Sequence, residues 1–317
     1  MNKNAVYLGI DTSNYTTSVS VCDTDGRVIL NSKHILDVKE GERGLRQSDA
    51  VFAHLKNLPG LSTDLANALR GSDIVAVGVS RSPRDEEGSY MPCFMSGRAV
   101  ASIVAATHDA ELYEFSHQSG HIMAALYSCG NAQELIKNDF AAFHVSGGTT
   151  EVLYVKPTSD GFNVRIIGNT ADISAGQAID RAGVMMGLRF PCGKELEKLA
   201  LMNDKKLPKP KLSVKNGICN LSGLENIAEK IYRETGDKPY VAAYVLNFIA
   251  QTLLKITEEV REKYPDIPIV YAGGVMSNAF LKETLGAFKE TYFATPEFSS
   301  DNAAGIALLT RKLHITR

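Results

Sequence analysis

The pattern of apolar and polar positions predicts a chain in which strands and helices alternate around two similar hairpins. Segments 6–21 and 142–155 each contain an apolar strand, a turn of small residues and a second apolar strand. Such a turn offers backbone N–H groups and hydroxyls to a phosphate, although a single copy is more often an ordinary hairpin. Because two copies occur about half the chain apart, the pattern favours two lobes built on one plan.

Other elements follow from the same pattern. Helical apolar spacing predicts helices over 44–58 and 241–264, whereas continuous apolar runs predict buried strands over 74–79 and 267–272. Further helices are expected over 97–106, 122–127 and 191–197. Another helix should begin within 172–181, with Asp172 or Ser174 as its cap, and the last should begin within 300–305. Strands are expected over 112–115, 164–167 and 292–294. Segment 201–215 is rich in lysine and proline, which more often indicates a solvated loop than a nucleic-acid edge.

Two histidines at the end of the strand over 112–115 are candidates for metal binding. His117 and His121 stand four residues apart at the start of a predicted helix. Both imidazoles therefore point the same way and reach one cation if a third ligand arrives from elsewhere. From this stretch alone, a helix cap or a satisfied surface group is the commoner interpretation of such a pair.

Composition narrows the function classes. At 317 residues and 44% apolar content, the chain is long enough for two domains with cores of their own. The formal net charge of −2 disfavours a stand-alone nucleic-acid binder, so such a partner needs a local patch or helper subunits. The apolar run before Asp11 is too short for a signal peptide or membrane span, which predicts a cytosolic protein. Five scattered cysteines disfavour structural zinc and disulfides.

Short motifs in a fixed order extend over nearly the whole chain. They are Gly9–Ser13, His117–His121, Val145–Gly148, Ala175–Asp180, Leu221–Leu224, Gly273–Val275 with Asn278, and Ser300–Ala304. In order and spacing they resemble the TsaD family, whose members make the threonylcarbamoyladenosine modification of tRNA. The resemblance implies an α/β, two-lobed, actin-like fold in which duplicated mixed β-sheets flanked by helices enclose a cleft. The lobes are predicted at 1–117 and 118–317, with the last helix free to pack back on the first lobe.

The resemblance also implies a site. His117, His121 and Asp301 would bind one divalent metal, iron or zinc, since two imidazoles and a carboxylate form an open site. An adenine nucleotide, ATP or threonylcarbamoyl-AMP, is expected at Val145, Ser146, Gly147 and Gly148 near the phosphates, and at Asp180, Gly193, Glu197, Gly274 and Asn278 around ribose and base. Asp11 would have a supporting catalytic role near metal and phosphate, and a simple turn carboxylate is the competing interpretation.

The implied reaction transfers a threonylcarbamoyl group from an adenylate to adenosine 37 of tRNA. The mixed anhydride is already activated, so positioning and charge stabilisation would provide most of the catalysis. The alternative is a paralogue that binds nucleotide and metal as a partner or regulator, or that carbamoylates a different acceptor. The expected partners are the nucleotide, tRNA held with helper proteins, and a second chain in a homo- or hetero-dimer, with no membrane. A metalloprotease is disfavoured because Gln118 and Ser119 supply no general base.

The chain departs from the family pattern at four places. Ser80–Cys93 replaces a Gly-Pro-Gly loop and contains three consecutive acids at 85–87, which would repel an RNA backbone that they faced. Thr149 replaces a histidine, Gln177 a glutamate and Cys192 a glycine. These changes surround the predicted site in an otherwise matching scaffold, which favours a divergent member with an altered acceptor or weakened catalysis.

Overall fold

A computed structural model describes residues 4–13, 15–37, 45–130 and 132–317. The strands are β1 (Asn4–Ser13), β2 (Thr16–Asp23), β3 (Val28–Ile35), β4 (Ser72–Ser82), β5 (Glu111–Ser116), β6 (Phe140–Val145), β7 (Thr150–Pro157), β8 (Phe162–Thr170), β9 (Val214–Lys215), β10 (Ile218–Cys219), β11 (Ile269–Ala272) and β12 (Thr291–Phe293). The helices are α1 (Gln47–Ala68), α2 (Phe94–His108), α3 (His117–Ser128), α4 (Ala132–Leu135), α5 (Ala175–Met185), α6 (Gly193–Ala200), α7 (Gly223–Thr235), α8 (Lys238–Lys263), α9 (Ala279–Leu285), α10 (Pro296–Ser299) and α11 (Ala304–Thr316), with a 3-10 turn at Gly274–Ser277.

The chain divides into two compact units. The first unit comprises Met1–Ala132, Pro157–Asn163 and Ser300–Arg317, and the second comprises Gln133–Lys156 and Val164–Ser299. This division differs from the predicted one after residue 117, which would separate β5 from α3. Here α3 stays in the first unit because it packs against α11, and α11 packs against β1, β2 and β4 of the same unit.

The first unit is built on a five-stranded mixed sheet in the order β3-β2-β1-β4-β5. β1, β2 and β3 are antiparallel neighbours, whereas β4 pairs in parallel with β1 and with β5. Side chains alternate between the two faces along β1. Leu8 and Ile10 join the core with Leu61 of α1 and Ala101 of α2. Gly9 faces α11. The sheet therefore separates α1 and α2 from α11.

The second unit contains a seven-stranded sheet in the order β12-β11-β6-β7-β8-β10-β9. β6 and β7 are antiparallel, and β11 lies parallel to both β6 and β12. α8 belongs to the core of this unit. Among the described residues it is the one helix whose length and apolar composition would allow it to cross a membrane. Because 72% of that apolar window is buried inside the protein, α8 has the character of a core helix.

The structure confirms both predicted hairpins, β1 with β2 and β6 with β7. The helix predicted over 44–58 begins at Gln47 and continues to Ala68, and Gly44 lies outside the described residues. The other predicted helices and strands are present with shifted ends. The pattern missed β3, α7 and α9, and also the short elements α4, α10, β9 and β10. β3 is an edge strand whose middle, residues 31–34, is polar, so it has no apolar run to reveal it.

Candidate functional site

The start of α3 presents the two candidate histidines on one face. β5 ends at Ser116, whose hydroxyl accepts a hydrogen bond from the Ser119 N–H at 3.1 Å and so caps the helix. His117 and His121 follow one helical turn apart, with ring centroids 4.3 Å from each other in an edge-to-face arrangement. The chain therefore changes from strand to helix at the residue where the first histidine stands.

Close packing between α3 and α11 brings a carboxylate to these histidines. A Cβ atom on Gly305 would lie 1.8 Å from the Gly120 carbonyl oxygen, so a side chain at this position would separate the two helices. Asp301 stands in the segment that leads into α11, which begins at Ala304. Gly120, the glycine between the two histidines, is therefore part of the contact that places Asp301 within reach of both rings.

The ligand atoms of the three residues converge. His121 Nε2 lies 3.1 Å and His117 Nε2 3.7 Å from Asp301 Oδ1. In a tetrahedral site with bonds of about 2.0–2.1 Å, neighbouring ligand atoms are about 3.3 Å apart. These three residues form the one candidate metal cluster within the described residues, with ligand atoms no more than 4.8 Å apart. Two imidazoles and a carboxylate at these distances fit a divalent transition metal.

Asp11 lies behind His117 and orients its ring. Its Oδ2 is 2.7 Å from His117 Nδ1, and its Oδ1 accepts the Ser13 N–H at 2.8 Å. The first of these bonds engages Nδ1 and leaves Nε2 for a metal, as in carboxylate-histidine-metal centres. Asp11 is 1% exposed, so its carboxylate contacts His117 and not bulk solvent.

Burial and mutual attraction set the charges of this pair. Burial alone would raise the pKa of Asp11, but the charge and hydrogen bond of His117 outweigh it and the pKa is lowered. Burial alone would lower the pKa of His117, but Asp11 and Asp301 raise it to about 9. In the metal-free protein the imidazole is therefore protonated at neutral pH. A divalent cation would take the place of that proton.

Two buried hydroxyls extend this polar region along the sheet. Ser13 and Ser80 are 1% and 0% exposed, and neither hydroxyl has a hydrogen-bond partner among the described residues. Strand alternation puts Ser13 on the face of Asp11, and the pairing of Ile10 with Val79 puts Ser80 on that face too. Since buried hydroxyls are normally hydrogen-bonded, each is a candidate partner for a polar ligand atom or an ordered water. Sequence reasoning overlooked them, although the alternation in β1 and β4 could have identified them.

In the second unit, the turn between β6 and β7 forms a glycine loop. The Ser146 N–H donates to the Thr149 carbonyl at 2.8 Å, and Ser146 Oγ accepts the N–H groups of Gly148 and Thr149 at 3.3 and 3.1 Å. Gly147 and Gly148 are exposed, and a Cβ atom on either would meet nothing within 4 Å. The loop therefore leaves open space above its glycines, as close approach of a phosphate requires.

The N-terminus of α5 packs against this glycine loop. Ser174, not Asp172, caps the helix: its hydroxyl accepts the Gln177 N–H at 3.2 Å and donates to the Gly147 carbonyl at 2.7 Å. Gln177 Oε1 accepts the Ser174 N–H at 3.2 Å, which completes a capping box. Glutamine and glutamate are equivalent in that role, so the departure at Gln177 preserves the helix start. Gly176 is required because a Cβ atom there would lie 2.5 Å from the Gly147 Cα.

Asp180, predicted near the ribose, lies on α5 and is half-buried. Its Oδ1 accepts the Cys192 N–H at 2.8 Å. Burial raises the pKa of Asp180 by more than this hydrogen bond lowers it. Asp180 is therefore bonded to Cys192, the residue that precedes α6, and Gly193 is the first residue of that helix.

Glu197 and Asn278, predicted around ribose and base, both cap α9. Glu197 Oε1 accepts the Ala279 N–H at 2.7 Å, and Asn278 Oδ1 accepts the Leu281 N–H at 3.2 Å. Asn278 is 8% exposed. Each side chain thus has a structural partner in the second unit.

The predicted glycines of the second unit differ in their surroundings. A Cβ atom on Gly193 or Gly274 would meet nothing within 4 Å. Gly273 has φ +103°, and a Cβ atom there would lie 2.2 Å from the Val145 carbonyl oxygen. Val145 is therefore buried beneath the glycine turn that follows β11, whereas Gly193 and Gly274 border open space.

Asp172 joins two segments of the second unit, a role that the sequence motifs did not predict. Its carboxylate accepts the N–H groups of Ile173, Leu221 and Ser222 at 2.7, 2.8 and 3.1 Å, and the Ser222 hydroxyl at 2.6 Å. Partial burial alone would raise the pKa of Asp172, but these hydrogen bonds lower it well below the usual range. Asp172 therefore joins the segment before α5 to the motif Leu221–Leu224.

Comparison with known proteins places these features in one family. The TsaD family model, described as tRNA N6-adenosine threonylcarbamoyltransferase, matches residues 30–308. A relative of that name from Thermosipho africanus is 28% identical over 325 residues, covering 98% of this chain and 94% of the relative.

Two solved structures share the fold. HypF in its phosphate- and nucleotide-bound form aligns with a TM-score of 0.59 and 13% identity over 99% of this chain and 56% of HypF. A ROK family glucokinase from Streptomyces griseus, in complex with glucose and AMPPNP, aligns with a TM-score of 0.52 and 12% identity over 97% of this chain and 99% of the glucokinase. The predicted actin-like fold, with two mixed sheets flanked by helices, is confirmed.

Proposed function

This chain belongs to the TsaD family of tRNA N6-adenosine threonylcarbamoyltransferases, and we propose that it transfers a threonylcarbamoyl group from an adenylate to adenosine 37 of tRNA. The observation that carries the proposal is the convergence of two imidazole nitrogens and a carboxylate oxygen at His117, His121 and Asp301. That donor set keeps coordination positions open for substrate oxygens, as a catalytic metal site must.

The reaction forms one bond to the carbamoyl carbon and breaks one bond to it, and the attacking amine loses a proton. The exocyclic amine of the adenosine attacks the threonylcarbamoyl carbonyl carbon, the bond from that carbon to the phosphate oxygen breaks, AMP leaves, and the amine proton passes to solvent. Iron or zinc bound at this site would supply Lewis-acid stabilisation of the charge that develops on substrate oxygens. The adenylate is an activated anhydride, so the contribution of the protein is mainly orientation and fixed charge.

Asp11 acts in this scheme as a positioning residue. It holds His117 by its Nδ1, which keeps Nε2 directed towards Asp301. The neighbouring hydroxyls of Ser13 and Ser80 would orient a polar atom of the substrate, because they are buried and have no partner among the described residues.

The second unit would bind the adenylate. The open space above Gly147 and Gly148, next to the N-terminus of α5, suits a phosphate, because a helix N-terminus favours negative charge. Asp180, which is half-buried and bonded to the residue before Gly193, would accept from ribose hydroxyls through the oxygen that Cys192 does not use. Glu197 and Asn278 would contact the nucleotide only with the atoms that capping of α9 leaves available.

The proposed partners are the nucleotide and tRNA, the latter held with helper proteins because the net charge of −2 gives no broad basic surface. A cytoplasmic location follows from a tRNA substrate. The oligomeric form we propose is a dimer with an identical or related chain, for which size measurements in solution are the test.

The divergent loop favours a second candidate function, in which the acceptor is different or the transfer is absent. The loop that replaces the Gly-Pro-Gly of the family exposes Glu86 and Glu87, and negative side chains there would oppose an RNA backbone. That observation favours a related acceptor without a polyanionic backbone, or a nucleotide-binding partner protein without transferase activity.

One experiment separates these functions. The purified chain, with helper proteins, would be incubated with threonylcarbamoyl-adenylate and tRNA, and digested nucleosides would be measured by mass spectrometry. The proposal predicts threonylcarbamoyladenosine with the native chain and none with His117→Ala. Adenylate consumption without modified adenosine would support a different acceptor, and absence of both would leave the non-catalytic partner.

A further inference from the structure

Asp85 joins the divergent loop to the helix that carries the two candidate ligands. The loop follows β4, and the Asp85 Oδ2 atom accepts the hydroxyl groups of Ser116 at 2.6 Å and Ser119 at 3.1 Å. Its Oδ1 atom accepts from Arg81 at 3.0 Å. Both carboxylate oxygens are thus engaged within the first unit, and one of them contacts the first turn of α3.

The same loop makes a second contact with this turn. The Gln118 N–H donates to the Pro83 carbonyl at 3.0 Å. The first N–H groups of a helix have no partner inside the helix. Here the loop supplies one directly through Pro83, and Asp85 holds the Ser116 hydroxyl that accepts the Ser119 N–H. Ser116, Gln118 and Ser119, the residues on either side of His117, are therefore bonded to the loop.

We propose that Asp85 is a positioning residue for the metal centre, which fixes the first turn of α3 and through it the direction of the His117 ring. This inference rests on the part of the proposed function that assigns a metal to His117, His121 and Asp301. It also gives the divergent loop a role: Asp85, although its side chain is 41% exposed, contacts α3, whereas Glu86 and Glu87 are exposed acids of the same loop.

The contacts of Asp85 matter because the two serines that it binds are buried. Ser116 and Ser119 are 1% and 3% exposed, and without the carboxylate the Ser116 hydroxyl keeps Ser119 Oγ at 3.0 Å as an acceptor, whereas the buried Ser119 hydroxyl loses the acceptor that Asp85 supplies. The first turn would then repack, and the residue most affected is His117, which lies between them. A ligand that loses its orientation binds a metal more weakly, since residues behind metal ligands typically contribute about 10–100-fold in affinity.

The test measures Co²⁺ binding to the full chain by competition with a chelator, together with the visible spectrum of the Co²⁺ form. Asp85→Ala is expected to weaken Co²⁺ binding about tenfold and to alter the spectrum, because the ligand geometry changes. Asp85→Asn should give an intermediate effect, since its carbonyl still accepts from the serines while its amide faces Arg81. Amide exchange of Gln118 and Ser119 in the metal-free protein should become faster in Asp85→Ala.

Glu87→Ala is the matched control, because it removes one negative charge from an exposed position on the same loop. A double-mutant cycle with Ser119→Ala adds a second test. If Asp85 acts through that hydroxyl, the effects of the two substitutions on Co²⁺ affinity will be far from additive.

The inference is overturned if Asp85→Ala binds Co²⁺ with the affinity and spectrum of Glu87→Ala, or if the native chain binds no Co²⁺. Failure of the proposed function would give a different set of results. In that case the native chain binds Co²⁺ and loses it in His117→Ala, Asp85→Ala binds it more weakly, and tRNA remains unmodified.

Discussion

The two units place their candidate functional groups in opposite ways. In the first unit the site consists of side chains, His117, His121 and Asp301, with Asp11 buried behind them. In the second unit it consists of backbone and open space around Gly147 and neighbouring glycines. In the first site, the charge of each side chain depends on its neighbours. In the second site, the shape of the open space depends on how closely α5 approaches the glycine loop.

This difference affects what a substitution does in each unit. In the first unit the residues that stabilise the site are themselves charged, so removal of one changes the protonation of its partner. In the second unit the polar residues of the motifs also cap helices, as Glu197 and Asn278 do for α9. Substitutions there should alter the shape of the binding surface first and its charge second.

The largest expected effect is loss of metal binding by the first unit without loss of nucleotide binding by the second. His117→Ala or His121→Ala removes one of the three proposed protein ligands, so metal content measured by atomic emission should fall from about one per chain to near zero, and transferase activity should fall at least about 100-fold. Binding of an ATP analogue should stay within about twofold. Exposed His108→Ala on α2 is the control. Loss of nucleotide binding together with the metal would show that the two sites depend on each other.

A smaller effect is expected from the residue behind the ligand. Asp11→Asn keeps the size of the side chain but presents an amide that can donate to His117 Nδ1, which would move the ring proton to Nε2 where the metal binds. We expect metal affinity to fall about 10–100-fold. Exposed Asp25→Asn in the same unit controls for the lost charge. Unchanged affinity in Asp11→Asn would show that Asp11 does not orient the ring.

The complementary prediction concerns the second unit. Gly176→Ala places a Cβ atom 2.5 Å from the Gly147 Cα, so α5 and the glycine loop must separate. We expect affinity for an ATP analogue, measured by calorimetry, to fall about tenfold, which corresponds to about 1.4 kcal/mol. Metal content should be unchanged.

Gly223→Ala is the matched control for this variant, because a Cβ atom there would meet nothing within 4 Å. Reduced metal content in Gly176→Ala, or equal loss of nucleotide binding in both variants, would contradict the contrast between the two units.

Sequence alone predicted the repeated hairpins and most elements, because an apolar strand beside a small-residue turn leaves a local signal. It also brought His117, His121 and Asp301 together, through resemblance and not through spacing. It missed β3, where polar residues occupy an edge strand, and it missed Asp85. The bond from Asp85 to Ser116 joins residues 31 positions apart and depends on the path of a loop. No periodicity in the chain encodes that path.

The smallest effect is expected from substitution of Asp172, whose carboxylate stabilises the fold of the second unit. The pKa of Asp172 is lowered because its ionised form accepts hydrogen bonds from Ile173, Leu221 and Ser222. A lowered pKa means that Asp172 stabilises the fold above the unfolded pKa of about 4 and loses this contribution as pH falls through the lower folded value. Asp172→Asn should therefore lower the free energy of unfolding by about 1–2 kcal/mol at pH 7.

The same comparison at low pH distinguishes Asp172 from Asp11. In urea denaturation, the difference between the native chain and Asp172→Asn should shrink as pH is lowered from about 5 to about 3, because the carboxyl of the unfolded chain takes up a proton in this range while the folded carboxyl, with its lowered pKa, stays ionised. Exposed Asp204→Asn in the same unit should show no such trend. Metal affinity should be unaffected by Asp172→Asn, since this carboxylate holds a loop of the second unit, whereas Asp11 holds His117, a proposed metal ligand of the first. A pH-independent difference would mean that the charge of Asp172 contributes nothing beyond the shape of its side chain.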